Sequence, residues 1–214
     1  MLRDISDIYN RNIINILLIC LVLVVPVTFF SYAAITYFNE LETLEYRNIP
    51  AFCMWILNFS ILFPPFFYIA KMDITEKEVN LIKILSVFIN KFGFVAFLTI
   101  ILFIIGMLGS VLLFIPSFLA IFMIILFPLF TDKENVLESL RSVWSVIKNE
   151  HIFIIVDVLI LLSLNVLVWS GSFYLVANFE NNTFVYIILR ALTNSLLFPI
   201  LYFYLTLKYR KDLV

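Results

Sequence analysis

The chain has 214 residues, 64% of them hydrophobic and 14% charged, with a net charge of -1 and a mean hydropathy of +1.09. Soluble domains hold about 45–50% apolar and about 25% charged residues. The composition therefore excludes an ordinary soluble enzyme, and the near-zero charge gives no footing for nucleic acid. Several apolar runs of about 20 residues predict an all-α membrane protein instead.

Residues 1–12 place Arg3, Asp4, Asp7 and Arg11 among apolar residues and read as a short interfacial lead-in. The first apolar run is too long for a signal-peptide core and lacks a small-residue cleavage site. It is expected to stay as span 1, about 13–38, kinked at Pro26. An acidic loop at 39–48 leads to span 2, about 49–70, with Pro64 and Pro65 near its end. A charged connector, 71–91, precedes span 3 at about 92–113, and Pro116 separates it from span 4, which ends at Phe130. Span 4 reaches only roughly 24 Å at about 1.5 Å per residue, so spans 3 and 4 read as a tilted or re-entrant hairpin. A second connector, 131–151, precedes span 5 at about 152–176, a short polar loop, span 6 at about 184–207, and a basic tail.

The expectation is one polytopic domain over 1–214, a six-span helical bundle of three hairpins at about 13–70, 92–130 and 152–207. Two amphipathic interfacial helices, about 74–90 and 133–149, are expected on the cytoplasmic side. With both termini inside, Arg3, Arg11, Lys71, Lys77, Lys83, Lys91, Lys133, Arg141, Lys148, Lys208, Arg210 and Lys211 all face the cytoplasm. Short connectors with that bias fix orientation under the positive-inside rule. The expected location is a bacterial cytoplasmic membrane.

The hairpins repeat. ILFP at 61–64, ILFP at 125–128 and LLFP at 196–199 each sit in the second helix of a pair. The first two are each followed by an amphipathic segment. Leu81, Ile82, Leu85, Phe88, Ile89 and Phe92 share one helical face, and so do Val136, Leu137, Leu140, Val143, Trp144 and Ile147.

Segment 133–150 carries Glu138, Arg141, Trp144 and Ser145 as candidate interaction residues. Thr131 or Asp132 is the expected N-cap, and Trp144 an interfacial anchor. Within the spans, Asp157, Arg190 and Asn194 are the candidate polar residues, because such groups are costly in hydrocarbon. Asp157 lies near the cytoplasmic end of span 5 and is expected to reach Lys208 or water. Arg190 lies near the outer end of span 6 and is expected to snorkel outwards, towards Glu180. Asn58, Asn165, Asn194, Ser60 and Ser195 are expected to hydrogen-bond between helices. His151 is the only histidine, and Cys20 and Cys53 lie in apolar runs, so no metal, cofactor or disulfide is expected. No phosphate loop or nucleophile elbow is present, and no enzymatic activity is expected. Four glycines argue against GxxxG packing.

From Leu113 onward the chain resembles the YciC-type family of uncharacterised bacterial inner-membrane proteins, which is similar to the membrane-anchor domain of some glycerophosphodiester phosphodiesterases. The resemblance rests on Ile115-Pro116, the helix ending in Phe127-Pro128, Asp132-Lys133, Ser139-Leu140-Arg141-Ser142 with Val143-Trp144, and the stretch from Leu192 through Asn194-Ser195. It departs at Pro116-Ser117, where the family usually has Pro-Gly. It implies a fold and a membrane location and carries over no catalytic residue. The function expected is a non-enzymatic accessory or scaffold that binds the lipid bilayer or a membrane-protein partner, with no nucleic acid. A small transporter or permease, or an immunity protein against a membrane-active peptide, stands as the alternative. A water-filled path along Asp157, Asn165 and Asn194 would favour transport, and a packed interior with an exposed apolar face on 133–150 would favour a scaffold.

Overall fold

The computed structural model describes residues 1–41, 46, 48–110, 114–133, 135–177 and 183–213. These are helices joined by short connectors: α1 (Leu2–Arg11), α2 (Ile13–Ile19), a π-helical turn (Cys20–Val24), α3 (Val25–Glu40), α4 (Asn48–Ile74), α5 (Leu81–Gly109), α6 (Ile115–Leu126), a 3-10 turn (Phe127–Phe130), α7 (Val136–Val176) and α8 (Thr183–Tyr209). Five stretches are long and apolar enough to cross a membrane: Ile13–Glu40, Asn48–Ile74, Leu81–Gly109, Val136–Val176 and Thr183–Tyr209. The segment expected as span 4, Ile115–Phe130, is helical and apolar but shorter. Its last turn tightens to 3-10 at Pro128, which lacks the N–H an α-helical turn would use.

Proline chemistry shapes the long helices. Pro26 cannot donate a backbone bond, and its ring crowds the carbonyl of Val22. The chain widens into the π-helical turn just before it, so the expected kink becomes a local change of helical register. Pro199 likewise leaves the Ser195 carbonyl without its helical donor. The Cys20 thiol, on the widened turn, donates to that carbonyl at 3.2 Å. Pro64 and Pro65 lie where α4 is most buried, and one turn before them Tyr202 Oη donates to the Phe59 carbonyl at 2.8 Å. The core forms there: Phe63 and Phe66 pack against Tyr202 with ring centroids 4.5 and 5.4 Å apart.

The α5–α6 hairpin is closed by small residues. A Cβ on Gly109 would stand 2.7 Å from the Pro116 Cβ, and one on Gly106 would stand 3.3 Å from the Ala120 Cβ. Ser117 Oγ donates to the Gly106 carbonyl at 2.6 Å. The four glycines thus include a close-packing pair, spaced three residues apart rather than four. Ser117 uses its hydroxyl where a glycine would leave only space.

Both amphipathic segments differ in detail from expectation. Residues 81–92 are the start of α5 and share its axis with the span that follows. Nothing in 81–109 breaks the helix, so this segment cannot turn to lie along a membrane surface. Its buried face centres on Ile84, while Ile82 at 76% and Ile89 at 72% exposure point outwards. The 29 residues of α5 run roughly 43 Å at about 1.5 Å per residue, enough for hydrocarbon and headgroups together.

In α7 the helix does break. Glu150 has φ -125° and ψ 17°, which separates a first segment from the apolar run that follows. In that first segment Ser139, Val143 and Ile147, spaced i, i+4, i+8, turn inwards. Leu137 at 80%, Trp144 at 51% and Val136 are exposed. The apolar sector is broad, and only its inner part meets protein. Neither Thr131 nor Asp132 caps the helix. Asn135 holds the N-cap position without a side-chain bond, Thr131 Oγ1 donates to the Pro128 carbonyl, and Asp132 is taken up elsewhere.

Candidate functional site

Several helix ends and connectors meet at one end of the bundle through ion pairs. Arg11 meets Asp73 through two hydrogen bonds, and Asn12 donates to the same carboxylate at 2.8 Å. Lys71 meets Asp132 at 2.6 Å, and Lys211 meets Glu150 at 2.6 Å. The end of the bundle that carries both termini is therefore a connected polar layer.

Among the described residues three formally charged residues are buried as a whole: Arg210, Asp157 and Arg190. Two belong to that layer and are fully compensated. Arg210, 1% exposed, grips Asp132 with Nη1 at 2.9 Å and Nη2 at 3.1 Å. It also grips Asp212 with Nε at 2.8 Å and Nη2 at 2.9 Å, donates to the Leu129 carbonyl, and stacks between Phe67 and Phe130 at 4.9 Å each. Burial raises the pKa of Asp132, but the hydrogen bonds from Arg210 and Lys71 prevail and hold it below the ordinary aspartate value. Asp157 accepts from Lys208 Nζ at 2.7 Å and Tyr204 Oη at 2.8 Å on one oxygen, and from Tyr209 Oη on the other. The expected Asp157–Lys208 pair is present, with two tyrosines that the sequence reading did not name.

Arg190 is different. It is 0% exposed and faces into the bundle, so it does not snorkel. Glu180, its expected partner, lies outside the described residues. Nη2 donates to Tyr32 Oη, and the guanidinium lies over the Tyr32 ring at 4.9 Å. With the Asn165 amide oriented to present its oxygen to the donors, that oxygen accepts from Arg190 Nη2 at 3.1 Å and from Trp55 Nε1 at 2.7 Å. Arg190 Nε and Nη1 have no partner, and no carboxylate among the described residues pairs with this cation.

Tyr32, Trp55 and Asn165 are three lining residues of a cleft of about 690 Å³ at the end of the bundle away from the termini. α7 packs on α6, the 3-10 turn and α8, and faces α3 and α4 across this space. Its walls are Phe52, Trp169 and Phe173 with aliphatic neighbours, and Thr36, Asn39, Thr183 and Tyr186 also line it. A second, smaller cavity of about 90 Å³ adjoins it through the shared residues Trp55, Leu162 and Asn165, and includes Asn194. Asn194 Nδ2 and Asn58 Nδ2 are buried without a partner, while Asn58 accepts from Thr28 Oγ1 at 3.3 Å.

The structure thus brings Arg190 and Asn165 together, puts Asn194 in the neighbouring cavity, and leaves Asp157 in a separate cluster. Glu138, Arg141, Trp144 and Ser145 are exposed on the first segment of α7. Tyr32 and Trp55 were missed as site residues. A depth signal existed: Tyr32, Trp55, Asn165 and Arg190 each lie seven to eleven residues from the helix terminus at this end of the bundle. No protein-family model matches the chain, and neither a curated protein nor a solved structure does.

Proposed function

We propose that this is a non-enzymatic, multi-pass protein of a bacterial cytoplasmic membrane that holds a membrane amphiphile in the cleft between α7 and the α3–α4 pair. In this reading Ile115–Phe130 completes six spans, both termini are cytoplasmic, and the cleft opens in the outer half of the bilayer. The first segment of α7 then lies along the cytoplasmic surface, with Leu137 and Trp144 dipping into lipid and Glu138, Arg141 and Ser145 available to a membrane-protein partner.

The observation that carries the proposal is the cleft itself. Its volume lies within the range of about 300–1,000 Å³ usual for ligand sites, and its aromatic walls with a small polar floor have the usual make-up of one. Trp55 and Trp169 line it, and the third tryptophan, Trp144, is remote on the cytoplasmic segment. In a Trp144→Phe background, a brominated amphiphile seated in the cleft should quench the remaining fluorescence saturably. An Ala51→Phe change, which fills the wall, should weaken that quenching. Linear, non-saturating quenching that ignores the Ala51 change would defeat the reading.

A second reading, a small transporter, rests on the cavity beside the cleft, which is lined by both Asn165 and Asn194 and by Val158, the chain neighbour of Asp157. It predicts solute or proton movement in liposomes that Asp157→Asn abolishes.

A further inference from the structure

Every other buried charge among the described residues is neutralised by an opposite charge. Arg210 has two aspartates and Asp157 has Lys208. Arg190 has a phenol, an amide oxygen and an aromatic face. A guanidinium has five N–H donors in a fixed fork. Here Nη2 is engaged by Tyr32 and Asn165, and the donors on Nε and Nη1 are unused. Burying a cation this way is costly unless a charge completes it. The cation lies one hydrogen bond behind the cleft floor, since Tyr32 and Asn165 both bond it and both line the cleft. The Trp55 indole N–H is spent on the same amide oxygen, which fixes Asn165 beside Arg190 at that floor.

We infer that the cleft is an anion-selective lipid site, in which a phosphate or carboxylate headgroup is held at the polar floor by the field of Arg190 while its chain lies along the α7 wall. This inference rests on the amphiphile reading above and adds the head chemistry. The lipid is a component of the surrounding bilayer rather than a soluble anion, because Val166, Trp169 and Phe173 on the cleft wall are themselves exposed and apolar. Arg190 does not itself line the cleft, so its charge acts through Tyr32 and Asn165, and a positive field of this kind is complementary to phosphate or carboxylate alike. Tyr32 serves as the relay: its hydroxyl accepts from Arg190, so its own proton is free for the headgroup.

The test uses the Trp144→Phe protein in neutral detergent and three brominated probes sharing one type of chain: dibrominated phosphatidic acid, dibromostearate and dibrominated diacylglycerol. The two anions should bind at least about tenfold more tightly than the neutral lipid. Arg190→Gln should bring all three to within about twofold, Arg190→Lys should retain part of the preference, and Tyr32→Phe should weaken anion binding without changing diacylglycerol binding. Equal affinity of wild type for the three would overturn the inference while leaving amphiphile binding intact, and a preference that survives Arg190→Gln would do the same. Quenching by none of them would remove the amphiphile reading itself. Should Arg190→Gln fail to fold, the wild-type ratio of anionic to neutral binding and the Tyr32→Phe comparison still decide the question. Displacement of phosphatidic acid by millimolar inorganic phosphate alone would overturn the lipid assignment in favour of a soluble-anion site.

Discussion

Arg210 and Arg190 are two buried arginines with opposite surroundings. Arg210 holds two aspartates and a carbonyl between two phenyl rings, and ties α4, the 3-10 turn, the second connector and the C-terminal tail into one unit. Arg190 has neutral partners and two unpartnered nitrogens. Both arginines cost desolvation energy. Among the described residues only the first recovers it through an opposite charge. A compensated buried charge locks a structure, and an uncompensated one is held in readiness for something else.

The largest effect should come from breaking the lock. Arg210→Gln leaves Asp132, whose side chain is 17% exposed, with Lys71 as its remaining cation, and removing one member of a buried pair costs up to about 3–5 kcal/mol. Thermal unfolding in detergent should show a drop of many degrees, with aggregation from the terminal end. A variant as stable as wild type would show that the cluster is decorative.

Gly109→Val comes next. Its new side chain meets the Pro116 Cβ and the Ser117 backbone, which cannot give way as a flexible side chain could. Overpacking of this kind costs about 1–3 kcal/mol, and a cysteine pair across α5 and α6 should crosslink less efficiently. Unchanged crosslinking would mean the hairpin is looser than described.

Acid separates the two arginines in another way. Asp132 has a folded pKa below its ordinary value of 3.8, so its contribution is fully present above that value. It is lost as pH falls through the lower, folded value. The Arg190 cluster contains no carboxylate among the described residues and should be indifferent over the same window. Trp55 and Trp169 fluorescence in Trp144→Phe protein should therefore stay constant until the terminal end unfolds. An earlier, separate transition at the cleft would argue for an acidic partner there.

A smaller effect is expected at Cys20. Cys20→Ala leaves the Ser195 carbonyl with neither its helical donor nor the thiol, a cost of about 1 kcal/mol. Pro199→Ala restores a backbone N–H to that carbonyl, so Cys20→Ala should cost less in the Pro199→Ala background than in wild type. Strict additivity would dissociate the thiol from the proline.

The sequence made the helical membrane class, most of the long apolar helices and the Asp157–Lys208 pair legible, because hydropathy and depth along a helix follow directly from residue order, while the surface helix expected at 74–90 and span 3 proved to be one helix. Glu150 broke α7 where the charge pattern changed to an apolar run. What stayed hidden depended on rotation rather than order. Ile82, Ile89 and Trp144 belong to apolar faces, but a membrane protein has two apolar surroundings, protein and lipid, and periodicity does not tell them apart. Residue order alone predicts that Arg190 snorkels, because a lone arginine near a span end usually can. The burial of Arg190 depends on Tyr32, Asn165 and Trp55, which converge from three other helices. Arg210 was counted only as tail charge, since nothing local to 208–214 shows that Asp132 lies beside it.

The comparison is tested most directly by the thermal stability of Arg190→Gln, measured alongside Arg210→Gln in the same detergent, with and without dibromostearate. The account predicts that Arg190→Gln unfolds within about 2 °C of wild type or above it, and loses the stabilisation that the anionic amphiphile gives to wild type. A loss as large as that of Arg210→Gln, with the amphiphile effect intact, would mean that Arg190 is a second structural lock and that the cleft has no use for its charge.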